Sequence, residues 1–383
     1  MKILHCCLSC FYIDNYNYQE NMLVREHVKL GHNVSVLAST ETYNSAGLLT
    51  YKDAGNYIGS DGALVTRVPY KKILPHKIMT KIRSYKGVSK FLEKERPDII
   101  LFHGLSAYEL LTIIRYKKNN PDVKLFLDSH EDFNNSAQNI FSKYILHYTF
   151  YRTIFLKSLS FIEKVLCISS ETINFVRDFY SCPERFIEYF PLGGVIPSDD
   201  EYLKKRKQIR KQYNLEENTL VFLQTGKFDK KKKLMESILA FKQVSHFSNI
   251  TFLIAGVFLE DEKEILELIS KDPRIKYLGW KNASDLYNLL CATDIYLQPG
   301  SQSATLQNSI CCRCAVIVDD VISHKPFVKN NGWLLNESSS LPEVLAQAMQ
   351  KFEMNTLQIM KNESLKIAYD LLDYSKQALR LLK

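Results

Sequence analysis

Two doubly wound α/β units in tandem, each a parallel sheet covered by helices on both faces, are the architecture that these 383 residues predict. Three observations predict it. Short, continuous apolar runs recur with amphipathic helical stretches between them, as expected of strands buried on both faces. The alternation stops once, in the Pro- and Gly-rich "EYFPLGGVIPSDD", and then restarts in the same rhythm. The chain is also too long for one average domain and suits two.

The first unit opens on "KILHCCL", an apolar strand, followed by polar "YIDNYNYQEN". In "MLVREHVKLGH" the residues Leu23, Val24, His27, Val28 and Leu30 repeat at helical spacing, and Gly31 supplies a stop before the strand "NVSVLAS". One helix is expected from about Ile78 to Leu92, since Ile78, Ile82, Tyr85, Val88 and Leu92 share a face. Next come strand "PDIILFHG", helix "YELLTIIRYKKNN" and strand "KLFLDSHED" with its polar end. The aromatic segment "NIFSKYILHYTFYRTIFLKSLSFIEK" leads into strand "VLCISS".

The second unit reads strand "LVFLQTG", helix "LMESILAFKQV", strand "ITFLIAG", helix "EKEILELISK" and strand "IKYLGW". Helix "ASDLYNLLCAT", strand "DIYLQP", helix "ATLQNSICCR" and strand "AVIVDD" complete it. The expected organisation is a first domain over 1–195, a basic linker over 196–215 ("KKRKQIRKQYNLEEN"), a second domain over 216–360 and a final segment over 361–383. That segment is expected to be one helix, from about Asn362 to Leu382, crossing back to the first domain.

Composition narrows the function. The apolar fraction of 46% with 24% charged residues is that of a soluble globular protein able to build two cores. A net charge of +8 suits anionic company such as a nucleotide or a membrane surface, and does not choose between them. The cysteines of "HCCLSC" and "CCRC" lie in strand-like or helical apolar context, without the second spaced pair that a zinc site needs, so buried reduced thiols are expected and no metal. No secretory leader is read from "MKILHCCLSCFYI", and no run reaches the ~18 apolar residues of a spanning helix. The expectation is a cytoplasmic chain, with peripheral attachment to the inner membrane face as a further option. No nucleic-acid partner is expected, and the absence of a G-x-G-x-x-G fingerprint argues against a nicotinamide dehydrogenase.

Ligands of open α/β sheets sit beyond the carboxyl ends of the strands, where helix N-termini offer unpaired N–H groups. The polar residues that follow each strand are therefore the candidates. In "QTGKFDKKKKL" Gly226 allows close approach of a ligand, and the ammonium groups of Lys227 and Lys232 suit a departing diphosphate. Lys230 and Lys231 read as a solvated helix start. In the first unit His130, Glu131 and Asp132 follow a strand, and the two acids are equally placed as helix-start residues favoured by the dipole. Gln19, Glu20 and Asn21 stand at the first helix start, and His103 ends another strand. These four are the expected acceptor-reading groups.

Together, "LQTGKFDKKKKLMESILAF", "YLGWKNASDLYNLLCATDIYLQPGSQSATLQNSICCRCAVIV", "MLVREHVKLGHNVSVLA", "VLCISSETINFV" and "YFPLGGV" resemble, in order and over nearly the whole chain, the family-4 glycosyltransferases. The resemblance implies the GT-B fold, with two Rossmann-like domains facing each other across a cleft, and transfer of a sugar with retention and without a metal or other cofactor. The donor would be a nucleotide-diphosphate sugar, and the acceptor a glycan or lipid-linked glycan in surface polysaccharide or glycoconjugate synthesis. Lys227 and Lys232 match the phosphate-binding positions, and His130 the histidine near the reacting carbon. Two glutamates usual in the family have no counterpart. One falls among Gly300, Ser301 and Gln302, the other at Asn308, with Gln307 or Ser309 as alternatives. The polar loop Ser301, Gln302, Ser303, Ala304 and Thr305 is left to hold phosphate and sugar, and Asn308 the ribose. Lys233 stands where the family has glycine. Rival readings are a non-catalytic scaffold on the same fold and a nucleotide-sugar epimerase.

Overall fold

The computed structural model describes residues 1–43, 48–244, 249–300, 303–336 and 340–382. The chain divides into two compact units, one of Met1–Pro191 with Tyr374–Lys383 and one of Leu192–Asp373.

The strands of the first unit are β1 (Lys2–Cys7), β2 (Asn33–Ser39), β3 (Glu41–Tyr43), β4 (Leu49–Tyr51), β5 (Gly55–Ile58), β6 (Leu64–Val68), β7 (Ile99–His103), β8 (Lys124–Ser129), β9 (Val165–Cys167) and β10 (Ile187–Tyr189). The sheet order is β10-β9-β8-β7-β1-β2-β6-β5, and β3 pairs separately with β4. All neighbours in the large sheet run parallel except β5, which is antiparallel to β6 at the edge. The strands from β3 to β6 are too short to display a period, so the sequence pattern passed over them. The order reverses between β1 and β7, which makes that gap the switch point where ligands of such sheets bind.

The second unit holds β11 (Leu220–Phe228), β12 (Ile250–Phe258), β13 (Ile275–Tyr277), β14 (Ile295–Gln298), β15 (Ala315–Asp319) and β16 (Gly332–Leu335). Its order, β13-β12-β11-β14-β15-β16, is parallel throughout and reverses between β11 and β14.

Three helical expectations change. The helix expected from Ile78 to Leu92 is two, His76–Ile82 and Val88–Glu95, because Arg83 (φ 54°) and Gly87 (φ 87°) turn left-handed between them. The basic run expected within a linker is the helix Asp199–Gln212 of the second unit. Its start is set by Ser198, whose hydroxyl accepts from Glu201 N, and by three acids in the first turn. The helix expected from Asn362 to Leu382 is interrupted. Leu357–Ile367 continues into Ala368–Leu372 within the second unit, Asp373 leaves helical geometry, and Tyr374–Arg380 packs in the first. Among the described residues no helix is long and apolar enough to cross a membrane.

The helix Asp199–Gln212 is tied down by one buried carboxylate. Asp294, just before β14, accepts from Arg206 at 2.7 Å, Arg210 at 2.6 Å, Lys361 at 3.0 Å and the Val221 amide at 3.0 Å. Burial alone would raise its pKa, yet the three cations, Lys361 foremost, hold it well below the usual carboxylate range. Two helices far apart in sequence are thereby joined to the β11–β14 pair. The aspartate of the "ATD" motif is thus an anchor of the fold. Asp294→Ala is expected to lower the unfolding free energy of this unit by about 3–5 kcal/mol in urea titrations, since it leaves buried cations uncompensated. Because the folded pKa is depressed, the Asp294 contribution is present above the unfolded value near 3.8 and lost as pH falls below it.

Candidate active site

In the second unit the switch point gathers the residues that the sequence singled out. β11 ends on Gly226, exposed Lys227 and buried Phe228. Asp229 then caps the turn Lys230–Lys232 by accepting from Lys232 N at 3.2 Å. The Lys232 carbonyl accepts from the Gln224 amide at 2.8 Å, which draws the turn back onto the strand. Gly226 holds φ 150°, a conformation that disfavours a side chain, and a Cβ there would only touch the Lys232 stem at an ordinary 3.6 Å. Lys232 is half-buried, and burial lowers its pKa. Lys227 makes no ion pair among the described residues.

Gly300 brings the β14 end to the same turn. A Cβ there would stand 2.0 Å from the Lys231 carbonyl oxygen, so only glycine fits. Lys233, where the resembling family has glycine, adopts φ 51° and opens the helix Leu234–Gln243. The lysine keeps the left-handed turn that glycine adopts freely, at a cost of roughly 1–2 kcal/mol.

Of the polar loop, Ser301 and Gln302 lie outside the described residues. Ser303 Oγ accepts from Thr305 N at 3.3 Å and donates to Thr305 Oγ1 at 3.2 Å, so both groups organise the start of the helix Thr305–Cys311, with Ala304 as its cap residue. Asn308 donates to the Ala304 carbonyl at 3.3 Å. Of its alternatives, Ser309 is fully buried and bonded to the Leu306 carbonyl, whereas Gln307 Oε1 is buried without a partner. The cysteines of the same helix pack inside, and all nine in the chain are unpaired thiols.

Beneath this edge runs a polar chain that no motif announced. Tyr296 OH lies 3.1 Å from Thr225 Oγ1 and donates to Gln298 Oε1 at 3.3 Å. Gln298 donates to His324 Nε2 at 3.2 Å, and His324 Nδ1 donates to the Asp319 carbonyl at 2.8 Å. The chain as a whole ties the ends of β11, β14 and β15 together.

In the first unit the switch point carries a second constellation. His130 follows β8, partly exposed. Glu131 accepts from Ser106 Oγ at 2.6 Å through Oε1, while its Oε2 is buried with no hydrogen-bond partner. Asp132 spends its carboxylate on the Asn134 and Asn135 amides of its own turn. Burial raises the Glu20 pKa, opposed by His130 and His103, so a carboxyl inclined to hold its proton stands close to both histidines.

The other expected acceptor-reading groups are turned inward. Gln19 donates to the Pro191 carbonyl at 3.1 Å and Asn21 to the Ile13 carbonyl at 3.0 Å. His103 is 3% exposed and bonds the Asp128 carboxylate. None of these three lines the open space of this unit. A cavity of about 520 Å³ in this unit is lined by Glu41, His76, Arg83, Ser106, Glu131 and Tyr151, among others.

Two family models match the chain. Residues 21–193 match the model for Glycosyltransferase Family 4, and residues 205–367 match that for Glycosyl transferases group 1. The chain is a family-4-like glycosyltransferase of the GT-B fold. No curated protein matches it. Among solved structures, this glycosyltransferase is similar to one from Rickettsia africae, with 15% identity, a TM-score of 0.67 and coverage of 100% of this chain and 96% of that one. It is also similar to HepE of Anabaena, solved with UDP and glucose, at 15% identity and a TM-score of 0.64, covering 100% and 98%. WaaG, a glycosyltransferase involved in lipopolysaccharide biosynthesis, shares 16% identity and a TM-score of 0.61 over 100% and 99%.

Sequence reasoning missed one feature of this enzyme's edge. Gly300 acts by proximity to a turn about 70 residues away in sequence, which no local pattern reports. Gly300→Ala is expected to push the Lys231–Lys232 backbone away and to lower the melting temperature by several degrees, about 2–4 °C for each kcal/mol lost. A scanning calorimetry trace unchanged from the parent would refute the close approach.

Proposed function

We propose that this glycosyltransferase moves a sugar from a nucleotide-diphosphate donor, held by the second unit, to a glycan or lipid-linked acceptor held by the first, with retention of configuration and without a metal. The observation that carries the reading is the convergence of Gly226, Lys227, Lys232 and Gly300 on one turn at the start of the helix Leu234–Gln243. Charge grows on the diphosphate as the glycosyl bond breaks. Two ammonium groups and a helix N-terminus preorganised there stabilise it more in the transition state than in the ground state.

Asn308 or Gln307 reads the ribose through amide groups. His130 stands near the reacting carbon, with Glu20 and Glu131 as the carboxyl groups beside it. The acceptor enters the 520 Å³ cavity, where the free Glu131 oxygen can take a hydroxyl hydrogen bond. Exposed Ile140, Phe141, Tyr144 and Ile145 form an apolar surface near its rim that suits a lipid-linked acceptor at a membrane. The structures solved with UDP and the lipopolysaccharide enzyme WaaG support a role in surface glycan synthesis.

Isothermal titration with UDP and GDP tests the donor site. Each lysine is expected to contribute about 1.5–3 kcal/mol as a charge-assisted contact, so Lys227→Ala with Lys232→Ala weakens diphosphate binding at least a hundredfold and spares the bare nucleosides. Equal affinity in parent and double variant would sink the assignment.

A further inference from the structure

Three histidines from three elements form a continuous chain inside the first unit. Asp128 Oδ2 bonds His103 Nδ1, His103 Nε2 lies 3.0 Å from His5 Nδ1, His5 Nε2 lies 3.0 Å from His27 Nδ1, and His27 Nε2 lies 3.2 Å from the Ala378 carbonyl oxygen. Every member is at most 3% exposed. The rings meet edge to edge instead of converging on a point, and among the described residues no cluster could hold a metal ion. The cluster Ile3, Leu23, Leu101, Phe126, Tyr374 and Leu381 draws on the same strands and helices, so the buried ring nitrogens are satisfied by one another and by the two ends of the chain.

The two ends fix the protons. The Ala378 carbonyl can only accept, so His27 donates from Nε2. The Asp128 carboxylate also only accepts, so His103 donates from Nδ1. Each of the two contacts between nitrogens needs one proton as well. Four hydrogen bonds require four ring protons, and three neutral imidazoles bring three. One ring is therefore a cation, and the carboxylate places the charge on His103.

We propose that His5 and His27 are positioning residues of the reaction centre: through this chain they hold His103 as an imidazolium against Asp128, and so set the charge and geometry of the strand edge that carries His130. The reference to a reaction centre rests on the glycosyl-transfer reading. Asp128 uses its other oxygen on the Gly104 amide at 2.8 Å, which fixes the turn after β7. The far end of the chain is the helix Tyr374–Arg380, the last of the sequence. Without the Ala378 carbonyl, His5 and His27 can take the opposite tautomer and donate from Nδ1, so three ring protons suffice and His103 gives up its Nε2 proton and becomes neutral. Docking of that helix and the charge at the strand edge are therefore linked.

The electrostatics agree. Burial alone would lower the His103 pKa, but Asp128 pushes it up to about 9. Burial would raise that of Asp128, but His103 and then His130 hold it low. Burial, then His27 and His103, lower that of His5, and burial brings His27 to about 4. Other titratable groups facing the chain are Cys7, Cys10, Glu20, His130 and Cys167 on the His103–Asp128 side and His32 on the His27 side. The His103 contribution to stability is full below pH 6.5 and is lost as pH rises through about 9. That of His5 and His27, being neutral, is present above pH 6.5 and lost as pH falls through the lowered values.

Heteronuclear NMR titration of the imidazoles in the full chain tests the proposal without substrate. One of the nine histidines is expected to be doubly protonated at neutral pH, with a midpoint near 9. His5→Leu, which removes both links, is expected to drop that midpoint by at least about one unit, a tenfold loss of proton affinity. His5→Gln, which keeps one acceptor and one donor, restores it, and His27→Leu serves if His5→Leu fails to fold. An unmoved midpoint, or no imidazolium at neutral pH, overturns the proposal. The alkaline limb of donor turnover is expected to fall with the midpoint and to return in His5→Gln. A fallen midpoint with an unmoved limb overturns the positioning role. Absence of turnover with every UDP- and GDP-sugar strikes the glycosyl-transfer reading alone, and the midpoint still decides the chain.

Discussion

A carboxylate buried in a sheet that is covered on both faces must be answered by cations and N–H groups, because water cannot reach it. Asp294 in one unit and Asp128 in the other are two such groups, and much else follows from them. Asp294 is answered by Arg206, Arg210, Lys361 and the Val221 amide. Asp128 is answered by His103 and the Gly104 amide. The first stands where a strand begins and holds helices to the sheet. The second stands where a strand ends, and its compensation reaches through three rings to the last helix of the chain. One residue type in one kind of environment yields an anchor at one edge and a tuned edge at the other.

Backbone approach shapes the second unit as strongly as charge does. Gly300 is small because the lysine turn lies against it, Gly226 holds a positive φ that favours glycine, and Lys233 holds a left-handed conformation where the resembling family has glycine. The turn geometry therefore survives a residue change that local preference opposes. With the turn in place, Lys227 and Lys232 present ammonium groups at a helix start.

Much of the fold was legible because strands buried on both faces write continuous apolar runs, and β1, β2, β7, β8 and β11 to β15 are such runs. The strands between Glu41 and Val68 were not, since three to five residues carry no period. The interruption at Asp373 was equally hidden, because aspartate is no breaker, whereas the one between Ile82 and Val88 carried a signal in Gly87 that the shared apolar face outweighed. At the site, Lys227, Lys232 and His130 could be named from their places after strands. The inward turn of Gln19, Asn21 and His103 could not, because a polar residue at a helix start or strand end reads the same whether it meets solvent or a buried carbonyl.

By itself the sequence determined the alternation of strand and helix, and hence two parallel sheets with their loops gathered at strand ends. It also supplied the ordered set of segments that resembles one family of sugar-transferring enzymes. Only the tertiary structure decided which side chains share those ends. Gly300 meets Lys231, and His5, His27 and His103 meet one another, across sequence separations that no periodicity spans. Proximity in a folded sheet follows from strand order, and strand order is fixed by long-range pairing, which local residue preferences do not encode.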